Sequence, residues 1–246
     1  MNISGVKIHN ISNKEALEKA SSFFHSAKQC KIFTPNPEMI VDSQKDKIFK
    51  EILNCGDINI CDGRGIQLVS KERIERITGT DLFLDLCRLA VDKKKSVYFL
   101  GSSTDTLEKA RMELKKSLPE LNISGMNSGP IFRLVDGEMK EISGITNAEV
   151  LQDIQDKKPD ILFVAFGHNK QERWIYDNLS KIPSVKIAIG IGGAFDYISG
   201  RFKRAPKWMR QIGLEWLYRL IQEPKRIMRI FKATFVFIYL VIFKNK

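Results

Sequence analysis

Apolar runs of strand length alternate with amphipathic stretches along the first 200 residues of the chain. The runs with the composition of buried strands are residues 31–34, 58–61, 97–100, 161–166 and 185–191. The stretches that repeat apolar residues at helical spacing are residues 15–27, 38–53, 82–91, 106–118 and 171–179. This alternation predicts an α/β fold, in which a Rossmann-like, mostly parallel sheet is flanked by helices.

Two segments depart from this pattern. Residues 129–146, with Asp136-Gly137 in the middle, have weak periodicity and predict a loop or small excursion before the next helix. The composition changes sharply after Gly200, where we place a domain boundary. A chain of 246 residues can bury one sizeable core but is cramped for two full domains. We therefore predict an α/β domain over residues 1–200 and a basic, helical appendage over residues 201–246.

The positive charge of the chain belongs to this appendage. The net charge is +11, and ten Lys or Arg residues lie between positions 201 and 232 against two Glu residues. Residues 1–200 are nearly neutral. Because the charges of the appendage alternate with long aliphatic and aromatic residues, the pattern favours an anionic membrane surface as partner, and we expect no nucleic acid.

A membrane-surface helix is predicted near the end of the appendage. Pro224 interrupts any preceding helix, and the cations that follow cluster toward one side: Lys225, Arg226, Arg229 and Lys232. The apolar run 230–243 would rise only about 21 Å as a helix, short of the roughly 30 Å hydrocarbon core of a bilayer. The helix is therefore predicted to dip into the membrane without crossing it. The alternative is that its aromatic residues pack on the domain or on a second subunit: Phe231, Phe235, Phe237 and Tyr239.

The N-terminal residues bear on where the protein works. The first 14 residues lack the basic start and long apolar run of a signal peptide. We therefore expect a cytoplasmic protein that is peripheral on the inner face of the cell membrane.

Cysteine and histidine give no sign of a metal site. The four cysteines have no Cys-x-x-Cys spacing, and most lie in or beside apolar segments, which is typical of structural thiols: Cys30, Cys55, Cys61 and Cys87. The three histidines are scattered along the chain and have no second ligand at metal-site spacing: His9, His25 and His168.

Polar residues follow several of the predicted strands. In open α/β sheets ligands bind beyond the carboxyl ends of the strands, so these residues are the first candidates for a site. Thr34 and Asn36 present a hydroxyl and an amide, either to a ligand or as caps of the next helix. Asp62 can act as a general base or as an N-cap. The sequence alone leaves these alternatives open.

Two further candidates precede predicted helices. Arg76 can hold an anion or pair with a nearby carboxylate. Gly101, followed by Ser102 and Ser103, opens a helix where free N–H groups can bind phosphate, although an ordinary capped turn fits as well.

The last two strands also end in polar segments. Gln171 belongs to the polar segment 168–172, and Gly193 is followed by Phe195 and Asp196, an aromatic ring and an acid that can grip a nucleoside. Neither segment fits the Gly-x-Gly-x-x-Gly fingerprint of dinucleotide-binding folds, which weakens an interpretation as a dehydrogenase.

The sequence also lacks an Asp-x-Asp motif, with which many sugar-nucleotide enzymes hold a divalent metal. Arginines are expected to hold a diphosphate in its place, so we predict no metal and no cofactor. Two other functions stay open on the residues alone: a nucleotide-binding oxidoreductase on the same kind of sheet, and a non-catalytic membrane-binding protein. Tight binding of NAD without UDP would indicate the first of these.

An ordered set of short motifs spans residues 34–229. The motifs are Thr34-Pro-Asn36, Asp62-Gly63-x-Gly65, Arg76-x-x-Gly79-x-Asp81, Phe99-Leu100-Gly101, Lys170-Gln171-Glu172, Gly192-Gly193-x-Phe195-Asp196, Arg204-Ala205-Pro206-x-Trp208, Glu215-Trp216-Leu217-x-Arg219-Leu220 and Glu223-Pro224-x-Arg226. Each motif is weak alone, but in this order they resemble the WecG/TagA/CpsF family of bacterial glycosyltransferases. One departure is His168-Asn169, because the family usually has proline directly before the Lys-Gln-Glu motif.

The resemblance implies an inverting transfer of N-acetylmannosamine, or its uronic acid, from a UDP-sugar to undecaprenyl-diphosphate-linked N-acetylglucosamine in teichoic acid or surface polysaccharide synthesis. It implies that Asp62 is the general base and that Arg76 is a conformationally important arginine. The pocket residues would be Thr34, Asn36 and Gln171. The appendage would cover the active site and bring arginines to the diphosphate: Arg219, Arg226 and Arg229. The sequence leaves assembly into a homo-oligomer open.

Overall fold

A computed structural model describes residues 1–70, 72–135 and 137–243. The strands are β1 (Asn2–Ile3), β2 (Val6–Lys7), β3 (Cys30–Phe33), β4 (Ile58–Asn59), β5 (Ser96–Leu100), β6 (Asn122–Asn127), β7 (Pro130–Val135), β8 (Glu138–Gly144), β9 (Ile161–Val164) and β10 (Ile187–Gly190). The helices are α1 (Asn13–Ser22), α2 (Pro37–Ser43), α3 (Lys47–Asn54), α4 (Arg64–Val69), α5 (Gly79–Asp92), α6 (Thr104–Ser117), α7 (Asn147–Lys157), α8 (Lys170–Asn178), α9 (Ala194–Ile198), α10 (Lys207–Ile212), α11 (Glu215–Gln222), α12 (Ile227–Phe231) and α13 (Phe237–Phe243). Short 3-10 turns cover Phe23–His25, Leu179–Lys181 and Pro224–Arg226, and a π turn covers Lys232–Val236.

A six-stranded sheet forms the centre of the fold, in the order β4-β3-β10-β9-β5-β6, and its neighbouring strands are parallel. All five predicted strands belong to it, so the α/β prediction is confirmed. The five predicted strands are mostly apolar because helices cover both faces of the sheet. Phe99 and Phe163 face α1, α5 and α6, whereas Tyr98 and Leu162 face α7 and α8.

The structure corrects the sequence pattern in two places. The predicted helix over 38–53 is two helices, because the Asp46 side chain accepts a hydrogen bond from the Phe49 N–H and starts α3 anew. The segment 129–146 is an antiparallel hairpin of β7 and β8 instead of a loop. Its periodicity is weak because Phe132 is the main residue that it buries. Gly137 has a φ of +80° at the turn, and Asp136 lies outside the described residues.

The polar edge strand β6 and the short β1–β2 pair were also absent from the sequence prediction. The cysteine prediction holds: all four are free thiols, and Cys30, Cys61 and Cys87 are buried.

Residues 201–243, called the C-terminal segment below, pack on the body beside α2 and α4. Phe237 is fully buried, and with Leu240 it joins a cluster that contains Met39, Ile40 and Ile66. Of the four aromatic residues weighed for packing, Phe237 therefore lies on the body, whereas the other three are 50–68% exposed: Phe231, Phe235 and Tyr239. Among the described residues, no helix combines the length and the apolar composition needed to cross a bilayer.

Candidate active site

A cleft opens beyond the carboxyl ends of β3, β4 and β10, and the C-terminal segment forms its far wall. The body lines it with Thr34, Asn36, Asp62, Arg76, Gly79, Gln171, Gly192 and Gly193. The C-terminal segment lines it with Gly213, Glu215, Trp216, Arg226, Arg229, Ile230 and Ala233. The structure thus brings together the predicted base Asp62, Arg76 and the predicted pocket residues Thr34, Asn36 and Gln171, at the sheet edge where ligands bind in such folds.

Asn36 has both roles that the sequence allows. Its side chain accepts a hydrogen bond of 3.0 Å from the Met39 N–H and so caps α2, and it also lines the cleft. Pro37 occupies the first position of α2, where a missing N–H costs nothing. Thr34 is 7% exposed and faces the same cleft.

Asp62 has the environment of a general base. It does not cap α4, whose N-cap is Gly63, and its Oδ2 accepts a hydrogen bond of 3.5 Å from the Gly79 N–H. The pKa of Asp62 is raised to about 7, mainly by burial and also by the carboxylates of Glu215 and Asp81, against the opposing effects of the Gly79 N–H and the Arg76 guanidinium. A carboxyl group with a pKa near neutrality can take up and release a proton at physiological pH.

Arg76 links the body to the C-terminal segment. Its guanidinium lies near Asp62 and donates a hydrogen bond of 2.5 Å to the backbone carbonyl of Arg210 in α10. Loss of this side chain would remove a positive charge from the cleft and a contact that holds its far wall.

Gln171 is held in one orientation. Its Oε1 accepts from the Gly192 N–H at 3.0 Å, and its Nε2 donates to Oε1 of the buried Glu172 at 2.8 Å. A Cβ at Gly190 would lie 2.6 Å from Gln171 Nε2, so only glycine leaves room for the amide there. The replacement of the usual proline by His168-Asn169 therefore leaves the Gln171 amide fixed by its own contacts.

Two arginines of the C-terminal segment, Arg226 and Arg229, line the far wall and create a positive region there. Arg229 makes three hydrogen bonds of 2.9–3.1 Å to the Glu38 carboxylate, and Arg226 lies 3.1 Å from Glu223. Burial lowers the pKa of Arg226, and the neighbouring cations Arg229 and Arg219 lower it further. Such a group of cations favours an anionic ligand.

Arg219 lies at the edge of this region with donor capacity to spare. Its guanidinium stacks on the Phe202 ring at 3.9 Å and lies over Tyr197 at 4.8 Å, and it pairs with Glu223. Its Nη1 is buried and has no hydrogen-bond partner among the described residues. A buried guanidinium nitrogen without a partner is costly, and an anion that enters from the cleft would supply one.

Four predicted binding residues lie outside the lining of the cleft: Arg219, described above, and Gly101, Phe195 and Asp196. Gly101 has a φ of +96°, and a Cβ there would lie 2.8 Å from the Ala165 backbone, so close packing explains this glycine. Phe195 is 1% exposed and packs against the Phe99 ring in the core. Asp196 pairs with Arg201 at 3.3 Å, near Gly193 at the edge of the cleft.

Two acidic residues of the cleft lining had no role in the sequence prediction, Glu38 and Glu215. Glu38, Asp42 and His168 could together offer three ligand atoms to a metal. Arg229 and Lys232, however, already pair with the two carboxylates, and His168 Nε2 lies 2.7 Å from Asp42. This arrangement favours an ion-pair cluster that attaches the C-terminal segment to α2. Activity without metal stays a prediction.

Comparison with known proteins identifies the family of this chain. Residues 1–246 match the model of the Glycosyl transferase WecG/TagA/CpsF family. The N-acetylglucosaminyldiphosphoundecaprenol N-acetyl-beta-D-mannosaminyltransferase of Bacillus subtilis (strain 168) is 33% identical over 199 residues, which cover 79% of this chain and 72% of that protein. The protein of the same name from Staphylococcus aureus (strain MW2) is 29% identical over 245 residues, 97% of this chain and 91% of that protein. The resemblance seen in the motifs is confirmed, and the chain belongs to the WecG/TagA/CpsF family of glycosyltransferases.

Proposed function

We propose that the protein moves N-acetylmannosamine, or its uronic acid, from a UDP-sugar to undecaprenyl-diphosphate-linked N-acetylglucosamine, with inversion, in teichoic acid or surface polysaccharide synthesis. The names of its relatives specify N-acetylmannosamine as the sugar and N-acetylglucosaminyldiphosphoundecaprenol as the acceptor. The observation that carries the proposal is the cleft itself, which the Asp62 carboxyl group lines together with Arg76, Arg226 and Arg229. A proton acceptor opposite an anion site is what a single displacement at an anomeric carbon requires.

Asp62 acts as the base in this reaction. Its carboxylate takes the proton from the acceptor hydroxyl while that oxygen attacks the anomeric carbon, and the bond to the diphosphate oxygen breaks on the opposite face. One displacement inverts the anomeric configuration and releases UDP. Thr34, Asn36 and Gln171 line the same cleft and orient the reacting sugars through their hydroxyl and amide groups.

The arginines of the C-terminal segment act on the leaving group. Negative charge grows on the diphosphate as the glycosidic bond breaks, so guanidinium groups placed there stabilise the transition state more than the bound substrate. Arg219 offers its unpartnered Nη1, and Arg226 and Arg229 line the cleft. With this much positive charge at the diphosphate, a divalent metal is unnecessary.

The same segment attaches the enzyme to an anionic membrane surface. The side of the last helical stretch that faces away from the body is apolar and exposed: Met228, Phe231, Phe235, Tyr239 and Ile242. Its other side carries Arg229 and Ala233 into the cleft and Phe237 into the core. A lipid-linked acceptor could therefore reach the base while its chain stays in the bilayer.

The test is a donor panel. The protein is incubated with several UDP-sugars and a short-chain lipid-diphosphate-GlcNAc, and UDP release is measured by chromatography. We expect turnover with UDP-N-acetylmannosamine or its uronic acid and none without acceptor. The exposed carboxylate of Asp92 supplies a control, because Asp92→Asn should leave turnover unchanged. Turnover only with a different donor sugar would contradict the proposed specificity.

A further inference from the structure

Arg204 joins three parts of the molecule. It precedes α10 and donates to both carboxylate oxygens of Asp81 at 2.7 and 2.9 Å, to the Thr78 hydroxyl at 3.2 Å, and to Glu215 at 3.3 Å. Thr78 caps α5, Asp81 lies in the first turn of that helix, and Glu215 begins α11. One half-buried guanidinium thus connects the start of the C-terminal segment to α5 and to α11.

The residues that Arg204 contacts lie next to Asp62, the proposed base. The first N–H of α5, that of Gly79, donates to Asp62, and Gly79 lies between Thr78 and Asp81, which both accept hydrogen bonds from Arg204. The charged groups that act on the Asp62 carboxyl are Arg76, Asp81 and Glu215, and Arg210 adds a positive charge near Asp81. The Cys61 thiol stays neutral, since burial raises its pKa to about 12. Two carboxylates therefore oppose ionisation of Asp62, and both accept hydrogen bonds from Arg204.

We propose that Arg204 is a positioning residue for glycosyl transfer: it compensates the two acids beside Asp62 and holds the C-terminal segment closed over that carboxyl group. The inference rests on the proposed role of Asp62 as base. A planar guanidinium suits this place because it can bond two oxygens of Asp81 and still reach Glu215, whereas a lysine ammonium supplies the charge without that fork.

The proposal predicts opposite effects for two partners in one ion pair. Arg204→Gln leaves Asp81 and Glu215 uncompensated, so the acidic limb of the pH profile of kcat/KM should move up by about one pH unit. The variant should then lose about 10-fold in kcat/KM at pH 6 and little at pH 9. Asp81→Asn leaves Arg204 in excess, so the limb should move to lower pH. The double variant should return toward the wild-type midpoint, and Arg204→Lys should keep the midpoint at a lower overall rate.

Two variants make the experiment decisive. Lys203→Gln removes one charge from the exposed neighbour and should leave the midpoint unchanged. Asp62→Asn tests the premise: if it keeps wild-type turnover, the proposed base is wrong, whatever Arg204 does. If Asp62→Asn is inactive and the midpoint stays in place in both Arg204→Gln and Asp81→Asn, the role of Arg204 is overturned. Should Arg204→Gln fail to fold, Asp81→Asn alone decides, because an unmoved or raised midpoint contradicts the proposal.

Discussion

The two walls of the cleft are held in different ways. On the body side, Thr34 directly follows β3 and Asp62 lies three residues beyond β4, and the Asp62 N–H donates a hydrogen bond of 3.1 Å to the Pro35 carbonyl. On the other side, the C-terminal segment is attached by ion pairs, such as Arg229 with Glu38 and Lys232 with Asp42, and by the buried side chains of Phe237 and Leu240. The difference fits the two proposed roles. A general base must be held at a fixed distance from the proton that it accepts, whereas an arginine that is paired with a carboxylate can exchange that partner for a diphosphate.

The largest loss of turnover should come from a change in the wall formed by the body, called the fixed wall below. Asp62→Asn keeps the shape of the side chain but cannot accept a proton, so we expect turnover to fall about 10²-fold or more, while UDP binding and the circular dichroism spectrum persist. Asp92→Asn, at an exposed site, serves as the control for a lost carboxylate. Wild-type turnover by well-folded Asp62→Asn would rule out the base.

Deletion of part of the C-terminal segment should lower turnover less than Asp62→Asn does, but it should also release the protein from the membrane. Deleting residues 225–246 takes away Arg226 and Arg229, so activity on a water-soluble acceptor should fall about 10-fold or more, and the protein should leave the membrane fraction. Liposome flotation and UDP release measure the two effects separately.

A matched variant separates attachment from catalysis. Phe231→Ser combined with Phe235→Ser removes exposed rings that do not line the cleft, so flotation should be lost and activity on the soluble acceptor kept. A truncated protein that still floats with anionic liposomes would show that residues 225–246 are not what attaches the protein to the membrane. Full activity of the truncated protein on the soluble acceptor would show that Arg226 and Arg229 do not serve the diphosphate.

The sequence located the fixed wall better than the other one, for a physical reason. Asp62 and Thr34 are recognisable because a polar residue directly after a buried strand must lie at the ligand-binding edge of the sheet. The pairs Arg204–Asp81 and Arg229–Glu38 join residues that are 123 and 191 positions apart, and no local pattern encodes such contacts. The sequence could therefore predict a cationic segment but not the acids that hold it.

Strand ends alone also do not say which side chains face a ligand. Gly101 and Phe195 both follow strands, yet close packing against Ala165 and the ring of Phe99 accounts for their positions. The mostly exposed hairpin of β7 and β8 escaped prediction because a strand that buries little has no clear alternation.

Ionisation of Asp62 should also lower the free energy of unfolding, an effect smaller than those on turnover and membrane attachment. The pKa of Asp62 is raised from 3.8 to about 7 on folding, so ionisation destabilises the folded state as the pH rises through this range, fully above pH 7 and not at all below pH 4. Asp62→Asn should therefore stabilise the protein at pH 8 by about 2 kcal/mol. This is roughly half the free energy that corresponds to the full pKa shift, because the carboxyl group is partly exposed to the cleft and solvent screens its charge. Thermal unfolding at pH 8 and pH 4 checks this: a gain in Tm of about 5 °C at pH 8 should vanish at pH 4. An equal gain at both pH values would indicate that charge is not the cause.

The smallest expected effect is that of chelation. Turnover should survive saturating EDTA, because the sequence has no Asp-x-Asp motif and arginines face the cleft where the diphosphate is proposed to bind. The one group of three potential ligands found among the described residues is Glu38, Asp42 and His168, and its two carboxylates already pair with cations of the C-terminal segment. UDP should be measured directly by chromatography, since coupling enzymes that need Mg²⁺ would fail for their own reasons. Activity that is lost in EDTA and restored by Mg²⁺ or Mn²⁺ would mean that the arginines do not suffice, and Glu38→Gln would then test whether this cluster holds the ion.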